Sequence, residues 1–475
     1  MATLIGTAKK DTFTVKESNS VVKAGKGNDV ITVSKGDLSA VWGEAGNDEI
    51  TLESGVGQGN RAYGDAGADI IKIKGGSYNY AEGGNGADTI TLSGGSDAAI
   101  RGGSGSDSIT VTGGKKNRFY GDAGDDIIVI KGGSDSIIYG DDNKKIATGA
   151  DQITITAAAG TGNKIYGEKG IDIIKVKGGA ENQIDGGDDG DKITVTGGTD
   201  NKIFGRAGAD TIQLKGGSDN SIYGGNDADR VTVTGGTEND IRSQDGEDVI
   251  TINGGSKNYF DGGANGDTIT VKAGTGNKIL GNGGADIIKI NGGSNNLIFS
   301  GKDADRITLT GGTGNEIYCQ DGNDNIEVKG GSNNFVSGLN GADTIKISGG
   351  SNNTIRGVNG NDAITITAGK GNTIRGDAGN DTIHINGGED NTVFGGTGND
   401  TFVFSSGFTK TCIVRDYVAA DMFKFNGVGY SDFSIEGKDV TFNLDNGAAI
   451  KMIGAKGRTL TYEDSDGTQS TLKLK

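Results

Sequence analysis

Apolar residues alternate with polar ones in short bursts along this chain, and the bursts recur at a fixed interval. Ile31 and Val33, Ile50 and Leu52, Ile71 and Ile73, Ile90 and Leu92, and Ile109 and Val111 begin a series. It closes with Ile383 and Ile385, then Phe402 and Phe404. Period-two alternation over a short β-branched run predicts a strand with one buried face. Glycines follow, as in Gly197-Gly198 and Gly349-Gly350, and then an asparagine such as Asn182, Asn201 or Asn220. Two residues beyond it stands a second apolar column: Ile203, Ile222, Ile241, Phe260, Ile279, Ile298 and Ile317. Each repeat therefore reads strand, turn, strand, turn. Strands this short, with no helices between them, bury their apolar faces only by stacking turn on turn. The expected fold is all-β, a parallel β-solenoid with two sheets around a thin Ile/Val core.

One aspartate per repeat sets the frame. It stands at Asp29, Asp48, Asp69, Asp88, Asp107, Asp126, Asp151, Asp172, Asp191 and Asp210, and continues at Asp229, Asp248, Asp267, Asp286, Asp305, Asp324, Asp343, Asp362, Asp381 and Asp400. The spacing is 19 residues in 16 of the 19 intervals, which gives about 20 turns of about 19 residues. The exceptions are insertions of two residues before Asp69, six before Asp151 (around 143–148) and two before Asp172. Asp11 reads as a degenerate first copy. The organisation expected is an N-terminal cap and first turn over 1–23, the repeats over 24–404, and a β-rich capping segment over 405–475.

Composition narrows the classes. Of 475 residues 91 are glycine and none is proline. That much glycine disfavours helices, at about 1 kcal/mol per position relative to alanine, and the missing proline excludes collagen. No stretch approaches the roughly 18 apolar residues of a membrane span. The first residues lack a long apolar core, so no Sec-type leader is expected. A net charge of −17 argues against a nucleic-acid partner. Removing the 21 column aspartates, Asp11 included, leaves 42 acidic residues against 46 Lys and Arg, so the acidic excess lies in that one column.

Stacking puts those carboxylates about 5 Å apart along the coil, and like charges on neighbouring strands are destabilising. A divalent cation between turns removes the conflict. The preceding loops, such as Gly83-Gly84-Asn85-Gly86-Ala87-Asp88 and Gly102-Gly103-Ser104-Gly105-Ser106-Asp107, let backbone carbonyls curl in beside the carboxylate. All-oxygen, flexible ligation suits Ca2+ better than Mg2+, and zinc would want His or Cys ligands. Two residues before the aspartate stands Gly in 16 copies and Asp189, Asp227, Asp303 or Asn265 in the rest. These residue types best tolerate positive φ, so a left-handed position is expected there.

The pattern Gly-Gly-x-Gly-x-Asp-x-Ile-x, repeated over 24–404, resembles the nonapeptide of the RTX (repeats-in-toxin, hemolysin-type calcium-binding repeat) family of secreted proteins, a calcium-binding β-helix repeat. The resemblance implies a right-handed β-roll, with calcium between successive turns held by loop carbonyls and by aspartates of two turns. It makes all twenty column aspartates candidate ligands. The chain departs from the family's common form, which carries the motif on both half-turns with an 18-residue period. Here the second half-turn reads Gly-Gly-Ser/Thr-x-Asn, so one row of calcium ions is expected, facing an edge of stacked amides, with a second, weaker row on that asparagine edge as the alternative. Gly398-Asn399-Asp400-Thr-Phe-Val-Phe404, then Ile413-Val-Arg-Asp-Tyr-Val-Ala-Ala-Asp421, is similar to the C-terminal region of type I-secreted members. That implies an uncleaved export signal beside a capping role. The segment 440–453 reads as a hairpin turning at Asp445-Asn446-Gly447.

No catalytic constellation emerges. His384 reads as a surface residue, Arg356 and Arg375 as ion-paired, and Cys319 and Cys412 as small apolar fillers, Cys319 in a loop glycine position. The functional expectation is a non-enzymatic, secreted, calcium-dependent structural protein. It would fold outside the cell and self-associate in a surface layer, filament or matrix. The alternative is a calcium-dependent adhesin binding cell-surface polysaccharide or ice, the latter suggested by outward pairs such as Thr194/Thr196 and Thr232/Thr234. Lysines as at Lys72/Lys74 and Lys175/Lys177 interrupt that array. A polysaccharide-modifying enzyme ranks below both.

Overall fold

A computed structural model describes residues 3–142, 148–156 and 160–475. The insertion expected around 143–148 falls almost wholly outside them. The chain divides into two compact units, 1–243 and 244–475, each a parallel β-solenoid; together they run through about 22 turns. Among the described residues every regular element is a strand, and no helix is long and apolar enough to cross a membrane.

Each turn contributes one strand to each of two sheets. In the first unit, Lys192–Thr196 lies on one sheet and Lys202–Ala207 on the other. Each pairs in parallel with its copy one turn on, Ile193 opposite Ile212 and Val195 opposite Leu214 on one side, Ile203 opposite Ile222 on the other. The second unit repeats this, Ile345 opposite Ile364 and Ile355 opposite Ile374. The three apolar columns meet in the middle: Ile193, Val195 and Ile203 are each no more than 1% exposed. A one-residue slip would turn all three outward, so the core sets the register. That register fixes where the aspartate and asparagine columns stand.

The position two before the aspartate is left-handed, as its residue types imply: φ is 75° at Asp189, 74° at Asp227, 75° at Asn265 and 75° at Asp303.

The ladder does not stop at Asp400, where the repeat spacing ends. Thr411–Arg415 pairs in parallel with Asn391–Thr397, and Met422–Asn426 with Thr401–Ser405. Ala449–Met452 and Thr459–Glu463 then add to the same two ladders. Only beyond these does the pairing become antiparallel. Asp439–Leu444 returns against Ala449–Met452 in the expected hairpin, and Gln469–Lys473 covers Thr459–Glu463. The physical reason for the continuation is the core. Phe423 and Phe425 are buried in the same columns as Phe402 and Phe404, Phe423 tilted against Phe402 and Phe425 stacked on Phe404. Apolar continuity carries the coil on after the glycine loop is lost.

Candidate metal centre

The aspartate column lies inside the coil. All twenty members are 2% exposed or less. The chain turns there from one sheet into the other, and each side chain folds back under the turn. Its Oδ1 accepts the backbone N–H of the column aspartate one turn earlier: Asp88 N–H to Asp107 at 2.7 Å, Asp172 N–H to Asp191 at 2.8 Å, Asp343 N–H to Asp362 at 2.8 Å. Half of such a carboxylate is therefore satisfied, by a bond that repeats along each unit.

The other half is not. From Asp29 to Asp210 and from Asp267 to Asp400, Oδ2 is buried without a hydrogen-bond partner. A buried charged oxygen with no partner is costly, and native proteins leave few such atoms. Here it recurs on eighteen turns. The two ends of the column show the contrast. At Asp11, Oδ2 accepts the Thr7 N–H at 2.6 Å and the Thr7 hydroxyl at 2.8 Å. At Asp421, which accepts the Asp400 N–H at 3.2 Å, Oδ2 accepts the Val418 N–H at 2.8 Å. The ends close on themselves and the interior does not.

A second oxygen faces the same place. Five residues before most column aspartates stands a glycine whose missing Cβ leaves room for the carboxylate. A Cβ on Gly102 would overlap Asp107 Oδ2 and stand 2.5 Å from the carbonyl oxygen of Gly121, one turn on. On Gly262 it would overlap Asp267 Oδ2 and stand 3.0 Å from the Gly281 carbonyl. Each cradle thus gathers a carboxylate oxygen from its own turn and a carbonyl oxygen from the next. The donor set is all oxygen, which fits a hard cation such as calcium. Among the described residues no three carboxylate, imidazole or thiol side chains converge on one point. The reason lies in the layout: one carboxylate comes from each turn, and the remaining donors are backbone.

Burial dominates the electrostatics. It pushes the carboxyl of Asp107 up to about 7, of Asp126 to about 8 and of Asp172 to about 9, with neighbouring column carboxylates adding to each shift. The bond from the preceding turn's N–H pulls the other way and is overcome. Such groups favour a proton or a positive partner.

The asparagine column, also buried, supplies its own partners. Asn182 N–H donates to Asn201 Oδ1 at 3.1 Å and Asn182 Nδ2 to the same oxygen at 2.9 Å; Asn201 repeats both bonds to Asn220. Asn220 Nδ2 also reaches the Gly198 carbonyl at 3.3 Å. This is the expected amide ladder, and it leaves no call for a second row of cations.

Of the other expected residues, Cys319 occupies a cradle position on this edge, five before Asp324, and the rest serve elsewhere. Arg356 and Arg375 both pair with Asp377, at 2.6 and 2.9 Å. Burial would raise that carboxyl, and the two guanidiniums more than reverse the shift. His384 sits half-buried on an outward strand face between Thr365 and Val403. Cys319 and Cys412 are free and buried. Asp421 was not among the expected column members. The signal was present, since Phe423 and Phe425 follow it at the column's own offsets of two and four, but the glycine loop and the 19-residue spacing are absent there.

No protein-family model and no curated protein matches the chain. Among solved structures it is similar to one described as a hyperactive, Ca2+-dependent, β-helical antifreeze protein from an Antarctic bacterium, at 20% identity and a TM-score of 0.36. That match covers 60% of this chain and 83% of the other.

Proposed function

We propose that the chain is an RTX-type, secreted, calcium-dependent β-solenoid with a structural role. It folds when calcium enters the aspartate edge and then serves as an element of an extracellular surface layer, filament or matrix. The carrying observation is the buried, unpartnered Oδ2 that recurs on eighteen turns, from Asp29 to Asp210 and from Asp267 to Asp400. The ligands on each turn are the column carboxylate and the carbonyl of the facing residue one turn on, as with Asp107 and Gly121. The ion supplies positive charge to the stack and ties consecutive turns together. A chain whose site exists only when coiled couples binding to folding. It stays uncoiled where free calcium is scarce and coils where calcium is plentiful, which suits export followed by assembly.

The test is a calcium titration followed by circular dichroism and light scattering, with electron microscopy of the end state. The expected result is β signal gained with calcium, lost in EGTA, and calcium-dependent polymers on the grid. A β signal and melting point indifferent to EGTA would refute calcium dependence. Calcium-folded chains that remain monomeric while binding glycans or shaping ice would replace the structural role with the adhesin.

A further inference from the structure

The cradles are not all alike. The residue facing Oδ2 is glycine on sixteen of the twenty turns, counting Gly140 across the insertion before Asp151, and Ala24, Ser243, Ser300 and Cys319 on the others. Where glycine leaves space, these four put a side chain into it. Ser300 shows what a polar one does there: its hydroxyl donates to the Cys319 carbonyl at 2.6 Å, the carbonyl that would otherwise face the cradle of its turn. Cys319 places a thiol in the next cradle. It is 0% exposed, and Asp324, Asp343 and Asp305 are the carboxylates whose charge it feels most. Asp324, on its own turn, is 1% exposed and its Oδ2 has no partner. In the following turn a Cβ on Gly338 would overlap Asp343 Oδ2 and stand 2.9 Å from the Gly357 carbonyl. By the same geometry, the Cβ of Cys319 is directed at Asp324 Oδ2 and the Gly338 carbonyl, and its sulfur also meets the Ser300 hydroxyl.

We propose that the turn of Cys319 and Asp324 holds a single mixed sulfur–oxygen site that takes a thiophilic divalent cation of calcium's size. Thiolate is a soft ligand and carboxylate and carbonyl are hard ones, so replacing one hard contact by sulfur turns preference toward ions such as Cd2+. Binding exchanges the thiol proton for the metal: the S–H bond breaks, the proton leaves to water, and the sulfur lone pair forms the metal bond. The site rests on the proposed cation row, because the ion enters as the coil forms.

The probe is Cd2+, added with excess Ca2+ while the full chain refolds, followed by removal of unbound metal. The measurements are metal content, the ultraviolet sulfur-to-cadmium charge-transfer band and the 113Cd spectrum. The wild type is expected to keep about one cadmium with the charge-transfer band, and one 113Cd resonance set apart from any all-oxygen signal. Cys412→Ser should behave alike. Cys319→Gly restores the column glycine, so it should fold with calcium and lose band, resonance and that cadmium together. A band that survives Cys319→Gly, or a calcium-folded wild type with no band, overturns this site while leaving the calcium row standing. A wild type that calcium does not fold overturns the row and the site with it.

Discussion

Replacing Asp172 by asparagine changes one buried atom and should change sign with calcium. Asp172 accepts the Asp151 N–H through Oδ1 at 2.8 Å, and its Oδ2 is unpartnered and fully buried. Asp151, Asp191 and Asp141 are the charged groups that face it, and burial raises its carboxyl from 3.8 to about 9. The folded value lies above the unfolded one, so without metal the carboxyl must take up a proton on folding. Its penalty is absent below pH 3.8 and grows as pH rises toward 9. At about 1.4 kcal/mol per unit, it reaches roughly 1.6 kcal/mol at pH 5 and roughly 4 kcal/mol at pH 7. An amide keeps the Oδ1 bond, carries no charge and offers a donor where Oδ2 had none, as the Asn182–Asn201 pair shows. In EGTA at pH 5, Asp172→Asn should therefore raise the urea midpoint by the equivalent of about 1.5 kcal/mol. In saturating calcium at pH 7 it removes a carboxylate from a buried ion contact and should cost on the order of 3 kcal/mol. If the substitution stabilises equally with and without calcium, protons alone satisfy the column and no cation sits there.

Acid should substitute for calcium. With carboxyls raised to about 7 at Asp69, Asp107, Asp191, Asp210 and Asp381, the metal-free chain gains β signal as pH falls from 8 toward 4, while the calcium-loaded chain keeps a flat profile; a metal-free chain insensitive to pH would contradict the cited shifts. Gly205→Ala puts a Cβ against Asp210 Oδ2 and should cost about 1–3 kcal/mol and weaken calcium binding. Gly197→Ala meets nothing within 4 Å and strains only a φ of 69°, so it should cost about 1 kcal/mol and leave the calcium midpoint in place. Asn201→Ala strands the buried N–H of Asn182 and should lose about 1–3 kcal/mol by chemical denaturation, equally in calcium at pH 7 and in EGTA at pH 5.

Most of the fold was legible because the apolar columns obey a strict offset from the aspartate, and the same offset fixes strand, face and register. The site was legible only as a charge pattern. Nothing in the residue order says that Oδ1 is already satisfied by the preceding turn's N–H, so the column reads as twenty bare carboxylates rather than twenty half-satisfied ones. Nor does it separate two kinds of glycine. Gly208, two before Asp210, is there for a φ of 105°, and aspartate replaces its kind at Asp189. Gly205, five before Asp210, is there for space, and what replaces its kind reaches the site, as Ser300 and Cys319 do. Asp421 escaped notice because the repeat was framed on glycine loops, whereas the ladder is continued by Phe423 and Phe425.

The two edges of the coil amount to a matched pair. On both, a buried side-chain oxygen accepts the N–H of the same column one turn earlier, and on both the second terminal atom points at oxygen. Along the asparagine edge that atom is an amide nitrogen, which donates onward, so a run such as Asn163 to Asn220 is a neutral ladder that fills its own gaps. Along the aspartate edge it is an acceptor facing an acceptor on eighteen turns, whereas Asp11 and Asp421 find donors within the chain. A proton can fill the gap, but with carboxyls near 7 it is half lost at neutral pH, and it serves one carboxyl at a time. A divalent ion engages oxygens of consecutive turns, so filling one site orders half of the next. In a coil whose stability resides in neighbour contacts, that coupling makes calcium binding cooperative along each unit. The calcium midpoint should then sharpen, rather than spread, as more glycine cradles are present in an uninterrupted run.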